Sequence, residues 1–178
     1  DFRHGIFNKT NIKILSNSIK KNVIKVADSQ VASRWGNITD FKKFDLITPN
    51  EKEVRFSLAD QDSSISELTR ELGKVSKFKN LILKLGARGT VTVSKNNKNF
   101  SFVTPSFTKN IVDSVGAGDA LLAYASLCLA SNKSIVSSNI IGSIAAACEC
   151  EMEGNIAVKK SMIIEKINQL EKSSKFNI

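Results

Sequence analysis

The chain has 178 residues, 42% of them hydrophobic and 24% charged, with a formal net charge of +9, which is enough for one domain whose core needs no disulfide or metal staple. No apolar run reaches the roughly 18 residues needed to cross a bilayer, and the longest, "ALLAYASLCLA", broken by Ser126, reads as a helix packed on all sides. The lysines are spread singly and in pairs without a dense basic block, which argues against nucleic acid as a partner while leaving small phosphorylated substrates favoured by positive potential.

In chain order, "NIKILSNSIKK" has apolar residues at helical spacing, and "NVIKVAD" is a β-branched run closed by Asp28, a buried strand. "DLITP" is a second short strand, and "NEKEVRFSL" opens a helix. "SISELTRELGKVSKF" is an amphipathic helix with Ser64 or Ser66 as N-cap. "NLILKLG" is a third strand. Strands that are nearly continuous in apolar residues and alternate with helices predict a parallel sheet covered on both faces. "TVTVSK" and "NFSFVTP" alternate instead, and the Asn-rich "NNKN" between them predicts an antiparallel hairpin. Three helices close the chain, over 117–130, 134–152 and 161–172, with "EGN" breaking the last two apart. Nothing marks a second domain, so residues 1–178 are expected to form one. Cys128, Cys148 and Cys150 lie in apolar helical stretches without C-x-x-C spacing and are expected to be reduced core thiols. With no signal peptide legible, a reducing cytoplasm is the expected compartment.

In open α/β sheets ligands gather at the carboxyl ends of strands and the helix N-termini that follow. That rule selects Asp28–Gln30, Thr48–Glu53, Gly86–Gly89 and Asp113–Asp119. In the last of these, "DSVGAGDALLAY", Gly116 and Gly118 allow close backbone approach and leave N–H groups unpaired at a helix start, an arrangement that receives phosphate oxygens or developing negative charge. No G-K-[ST] follows, so this is not a Walker loop, and the third glycine of a dinucleotide fingerprint is missing. Asp119, in the first turn, can accept the proton of a substrate hydroxyl; an acid favoured there only by the helix dipole is the plainer reading. Asn50 and Glu53 can likewise be an N-cap and its capping box. His4, the single histidine, reads as a solvated loop residue.

"DSVGAGDALLAY" closely resembles the D-[ST]-x-G-A-G-D signature of the PfkB, or ribokinase-like, carbohydrate kinases, and "NEKE" and "LGARG" are similar to that family's N-x-x-E and G-x-x-G elements, in the same order. The resemblance implies a ribokinase-like three-layer α/β sandwich with a mainly parallel sheet, an antiparallel hairpin and a C-terminal set of helices. It further implies ATP-dependent phosphoryl transfer to a sugar or sugar phosphate, with Mg2+ and a monovalent ion such as K+. Asp119 would be the base, and Gly116, Ala117 and Gly118 the anion-hole donors. Asn50 and Glu53 would act on magnesium through its waters, and Asp113 would belong to the monovalent-cation loop. Lys84, Gly86, Gly89, Asn139, Gly142 and Asn155 would border the nucleotide, with Val103–Phe107 and Ser143 flanking the adenine; Lys84 stands near where the family often has Thr. "DFRHGIF" and "ADSQVASRWGNITDFKKFDLITPNEKEVR" look most like the heptose-phosphate kinase branch, whose members act on lipopolysaccharide precursors. The family's first strands, its N-terminal glycine pair and its small β lid have no counterpart in the sequence, so the chain is expected to be the C-terminal portion of such a kinase. A nucleotide-binding fragment with a regulatory or assembly role and no turnover is the competing expectation. The resemblance leaves a homodimer open.

Overall fold

The computed structural model describes residues 7–29, 37–95, 100–154 and 156–174. His4, Gln30, Asn155 and the expected turn over 96–99 lie outside the described residues. The chain divides into two compact units, Asp1–Thr104 and Pro105–Ile178.

The first unit is a mixed α/β layer. Helix α1, Lys9–Ser18, is followed by strand β1, Val26–Ala27, a 3-10 turn at Ile38–Asp40 and strand β2, Leu46–Ile47. Helices α2, Glu51–Leu58, and α3, Ile65–Ser76, lead into β3, Asn80–Lys84, and then β4, Thr90–Ser94, and β5, Phe100–Thr104. The sheet order is β1-β2-β3-β4-β5. β1 to β3 run parallel, Val26 opposite Leu46 and Leu46 opposite Asn80, whereas β3–β4 and β4–β5 are antiparallel. The expected order of elements stands, and the parallel run of β1 to β3 ends, as expected, in an antiparallel meander through β4 and β5.

The reason for the parallel half is visible in burial. Leu81 and Leu83 enter a core with Ile47, Val54, Leu68 and Leu72, while Leu46 and Ile82, on the alternate face, are also wholly buried; such strands cannot alternate with polar residues. Ser64 is the N-cap of α3: its side chain accepts the Glu67 N–H, and Glu67 returns to the Ser64 N–H. Helix α1 begins before the expected Asn11 because Asn8 caps it, accepting from Thr10 and Asn11 while the Asn11 side chain accepts the Asn8 N–H.

The second unit is helical: α4, Ala117–Ala130, α5, Ile135–Cys150, and α6, Lys160–Ser174. α4 and α5 pack so closely at Gly142 that a Cβ there would stand 2.9 Å from the Leu121 carbonyl oxygen. Ile144, Ala145, Cys148 and Ile163 form the core between α5 and α6. Tyr124 ties α4 to the segment before α6, its hydroxyl donating to Val158 O at 2.8 Å. The expectation that the apolar run of α4 is enclosed all round is corrected: only Leu121 and Ala125 are buried in it, and Leu127 is 62% exposed. An all-apolar helix reports that several faces can be covered, not that they are.

Candidate active site

In the first unit the carboxyl ends of the parallel strands gather four side chains. Asp28 follows β1, Asn50 and Glu53 begin α2 after β2, and Lys84 ends β3. Asn50 is also joined to Lys84 by a parallel backbone bridge that extends the ladder beyond β2. Asn50 and Glu53 form a reciprocal pair: the Asn50 N–H donates to Glu53 Oε2 at 2.8 Å, the Asn50 side-chain amide donates to Oε1 at 2.7 Å, and the Glu53 N–H donates to Asn50 Oδ1 at 2.9 Å. This is a capping box, yet Glu53 is only 4% exposed, far deeper than a cap requires. Burial pushes its pKa up to about 7, against the lowering influence of Lys84 and the Asn50 N–H, and the Asp28 charge adds to the rise.

Lys84 Nζ donates to Asp28 Oδ2 at 2.6 Å, and the Ser29 N–H to Asp28 Oδ1 at 3.0 Å. An ion pair this short should lower the carboxyl's pKa, but burial outweighs it and the Asp28 pKa is raised. The cluster is therefore a buried acid, Glu53, and a partly buried one, Asp28, under the influence of one ammonium group. Two hydroxyls at the same strand ends, Ser29 Oγ and Thr48 Oγ1, are buried without a hydrogen-bond partner among the described residues, an unmet capacity beside the carboxylates.

After β3, Gly86 and Gly89 take positive φ, 61° and 84°. Gly86–Arg88 forms a 3-10 turn closed by Leu85 N–H to Gly89 O at 2.8 Å. A Cβ at Gly86 would meet nothing within 4 Å, so the requirement there is the backbone angle alone. Arg88 and Arg55 both pair with Glu51 in the first turn of α2.

The second unit holds the other predicted residues. Gly116 is the N-cap of α4 in the left-handed region, φ 86°, ψ −18°, and no side chain caps the helix. The Ala117 N–H makes only a long bond, 3.4 Å, to Ser114 O. Asp119 sits exposed in the first turn. Asp113 shapes the approach: its Oδ1 accepts the Val115 N–H at 3.0 Å, and the Val112 and Asp113 N–H groups donate to Cys150 O at 2.8 and 3.2 Å. Asn139 is wholly buried on α5 and its Oδ1 accepts the Ser143 hydroxyl at 3.2 Å; Gly142 is the contact with Leu121 described above. The structure thus brings Asp28, Asn50, Glu53 and Lys84 together in one unit and Asp113, Gly116, Ala117, Gly118 and Asp119 at one helix start in the other. Val103–Phe107 runs across the division between the units.

Asp28, selected by the strand-end rule though not by the family motifs, joins this cluster through Lys84.

Magnesium takes oxygen ligands, demands octahedral geometry and keeps several waters. The residues present fit that habit through water: both Glu53 oxygens are already engaged by Asn50, and no group of three or more His, Cys, Asp or Glu side chains forms a direct cage among the described residues. A helix start without a side-chain cap fits an anion equally well.

Residues 8–161 match the pfkB family carbohydrate kinase profile, and the chain belongs to that family. Among curated proteins it is similar to the bifunctional protein HldE of Campylobacter fetus, 31% identical over 115 residues, covering 61% of this chain and 24% of that protein. It is also similar to the bifunctional protein HldE of Sulfurimonas denitrificans, 28% identical over 184 residues, covering 98% of this chain and 36% of that one. Among solved structures it resembles phosphofructokinase-2 from Escherichia coli in complex with potassium, with a TM-score of 0.77 at 18% identity, covering 94% of this chain and 54% of that one. Ribokinase from Thermotoga maritima gives a TM-score of 0.71 at 22% identity, covering 89% and 52%. These likenesses define the fold as ribokinase-like. The chain spans about a quarter to a third of the curated relatives and about half of the solved structures.

Proposed function

We propose that the chain is the nucleotide-binding and catalytic part of an ATP-dependent sugar or sugar-phosphate kinase, residues 1–178 acting as one functional domain. The observation that carries this reading is the start of α4, where an uncapped first turn behind Gly116 is combined with an exposed carboxylate, Asp119. Phosphoryl transfer asks mainly for placement of the nucleophile and relief of charge on the transferred oxygens. When bound, ATP supplies the phosphoryl group and magnesium neutralises part of its charge. Asp119 accepts the proton of the sugar hydroxyl, while the N–H groups at Gly116, Ala117 and Gly118 receive the negative charge. Asn50 and Glu53 orient magnesium's waters, with Asp28 and Lys84 setting the charge around them. Gly86 and Gly89 let the backbone approach the nucleotide phosphates. Asp113 belongs to a loop for a monovalent cation such as K+, and Asn139, Gly142 and Asn155 complete the nucleotide side, the first two as buried support.

Within sugars, a heptose phosphate is the favoured substrate. This rests on the resemblance of the segment through "DLITPNEKEVR" to the heptose-phosphate kinase branch, and two curated relatives of the chain carry one name in common. A cytoplasmic site of action and a homodimer fit this reading.

The test is Asp119→Asn in a phosphoryl-transfer assay with ATP, magnesium and potassium over heptose, hexose and their phosphates, with ATP binding measured separately. Loss of a general base lowers turnover by about 10²–10⁴-fold while ATP affinity is kept. Full activity in the variant would remove Asp119 from the role of base, and unchanged ATP binding with no transfer in the parent chain would favour a nucleotide-binding role.

A further inference from the structure

The amino ends of the same three parallel strands carry a second concentration of charge, of opposite sign to the carboxylates at their carboxyl ends. Lys25 directly precedes β1, Asp45 precedes β2 and Lys79 precedes β3. Together with Lys20, Lys21 and Lys43 they line an open cleft of about 340 Å³, at the small end of the range typical of ligand pockets.

The backbone assembles this cluster. Asp45 Oδ2 accepts the Lys25 N–H at 2.8 Å, the Asp45 N–H donates to Lys25 O at 2.8 Å, and the Lys79 N–H donates to Phe44 O at 2.9 Å. The single carboxylate is used internally: Asp45 Oδ1 holds Lys79 Nζ at 2.6 Å. Although partial burial raises its pKa, the Lys25 N–H and Lys79 bring the Asp45 carboxyl below its ordinary range, so it stays ionised and committed. Among the described residues Lys20, Lys21, Lys25 and Lys43 have no ion-pair partner. Lys25 Nζ lies 5.8 Å from the Phe44 ring centroid, which restricts it without neutralising it. Lys43 is held at φ 59°, a left-handed conformation that a glycine or asparagine would take with less strain, while its N–H donates to Ser76 O at 2.8 Å. Four lysines without an ion-pair partner around one concavity repel each other, only the fifth, Lys79, being neutralised by Asp45, and a strained lysine among them adds to that cost. A bound polyanion relieves both the repulsion and the lack of partners.

We propose that this cleft binds a small phosphate-rich anion, a linear polyphosphate or the phosphate chain of a nucleotide, at a site separate from the candidate active site. The volume suits a small ligand rather than a polynucleotide, which would be followed by a basic stripe. Ile19 and Val23, 38% and 49% exposed at the rim, give a base or sugar something apolar to rest on.

The experiment titrates the chain with inorganic tripolyphosphate and, in parallel, with ATP without magnesium, following backbone amide shifts and heat of binding. Saturable shifts are expected over residues 20–25, at Lys43 and at Lys79, distinct from any at 116–119, with affinity falling as salt rises. Equal affinities for the two probes assign recognition to the phosphate chain; tighter ATP binding adds the apolar rim. The double variant Lys21→Glu, Lys43→Glu should weaken binding at these positions by about tenfold or more. The charge-matched pair Lys133→Glu, Lys172→Glu, in the other unit, should leave it nearly unchanged. Lys43→Gly separates charge from folding, because it relieves the backbone: affinity should fall while thermal stability holds or rises. No saturable shift in the cleft, or equal weakening by both double variants, would overturn the proposal.

Discussion

A carboxylate whose pKa burial pushes up to about 7, as it does for Glu53, couples the candidate site to stability. The unfolded value is 4.5, so between about 4.5 and 7 the folded chain holds a proton that the unfolded chain has released. Stability from this group is fully present below the lower value and is lost as pH rises through the upper one, by up to about 3 kcal/mol. Asp28, also raised by burial, adds to the loss in the same sense. Chemical denaturation of the metal-free chain from pH 4.5 to 8 should show this decline, and Glu53→Gln should flatten it. Lys84 bears on both acids. Replacing it with Met removes the cation that lowers both, and should cost about 2–4 kcal/mol at pH 8 but less at pH 5, where the carboxyls can take up protons instead. Equal losses at the two pH values would show that Lys84 matters through packing rather than charge. The motif made Asn50, Glu53 and Asp119 legible in the sequence, but not the Asp28–Lys84 pair. Its members are 56 positions apart, and only the parallel stacking of β1, β2 and β3 brings them to one end.

Elements were legible where a local rule acts alone and less so where neighbours decide. α4 was expected at the boundaries observed, because glycines and an acid mark its start. α1 starts early because a pair of asparagines forms its capping box, where the usual signature is Ser or Thr with Glu or Gln. β1 and β2 are two-residue ladders, although the apolar runs containing them are longer: pairing length depends on the partner strand. The choice between Ser64 and Ser66 as N-cap of α3 could not be made from sequence; the Glu67 N–H settles it on Ser64. Ser64→Ala should therefore cost about 1 kcal/mol in denaturant unfolding and Ser66→Ala much less. Tyr124→Phe removes the hydroxyl bond that ties α4 to Val158, and should cost about 1 kcal/mol with faster amide exchange around residues 156–160.

At the scale of the whole molecule the formal charge of +9 acts over distances that no single contact covers. If the acceptor is a sugar phosphate, positive potential raises its encounter rate, and salt screens that gain. The kcat/KM for a phosphorylated acceptor should fall several-fold, up to about tenfold, between low and physiological ionic strength. That for the corresponding neutral sugar should change little, and equal salt dependence for both would show that the charge serves no steering role in this reaction. The overall α/β order was readable because strand and helix periods alternate along the chain, and the end of the parallel run was readable where β4 and β5 change to a two-residue alternation.

The two glycines at 86 and 142 predict different histories for their positions. At Gly86 the surroundings are open and only the angle matters, so lineages under selection for folding alone could drift to asparagine there. At Gly142 the neighbouring helix leaves no room for any side chain, and the position should stay fixed even in descendants under selection for folding alone. Invariance at 142 would therefore record the meeting of two helices, and invariance at 86 would be the more informative trace of a ligand.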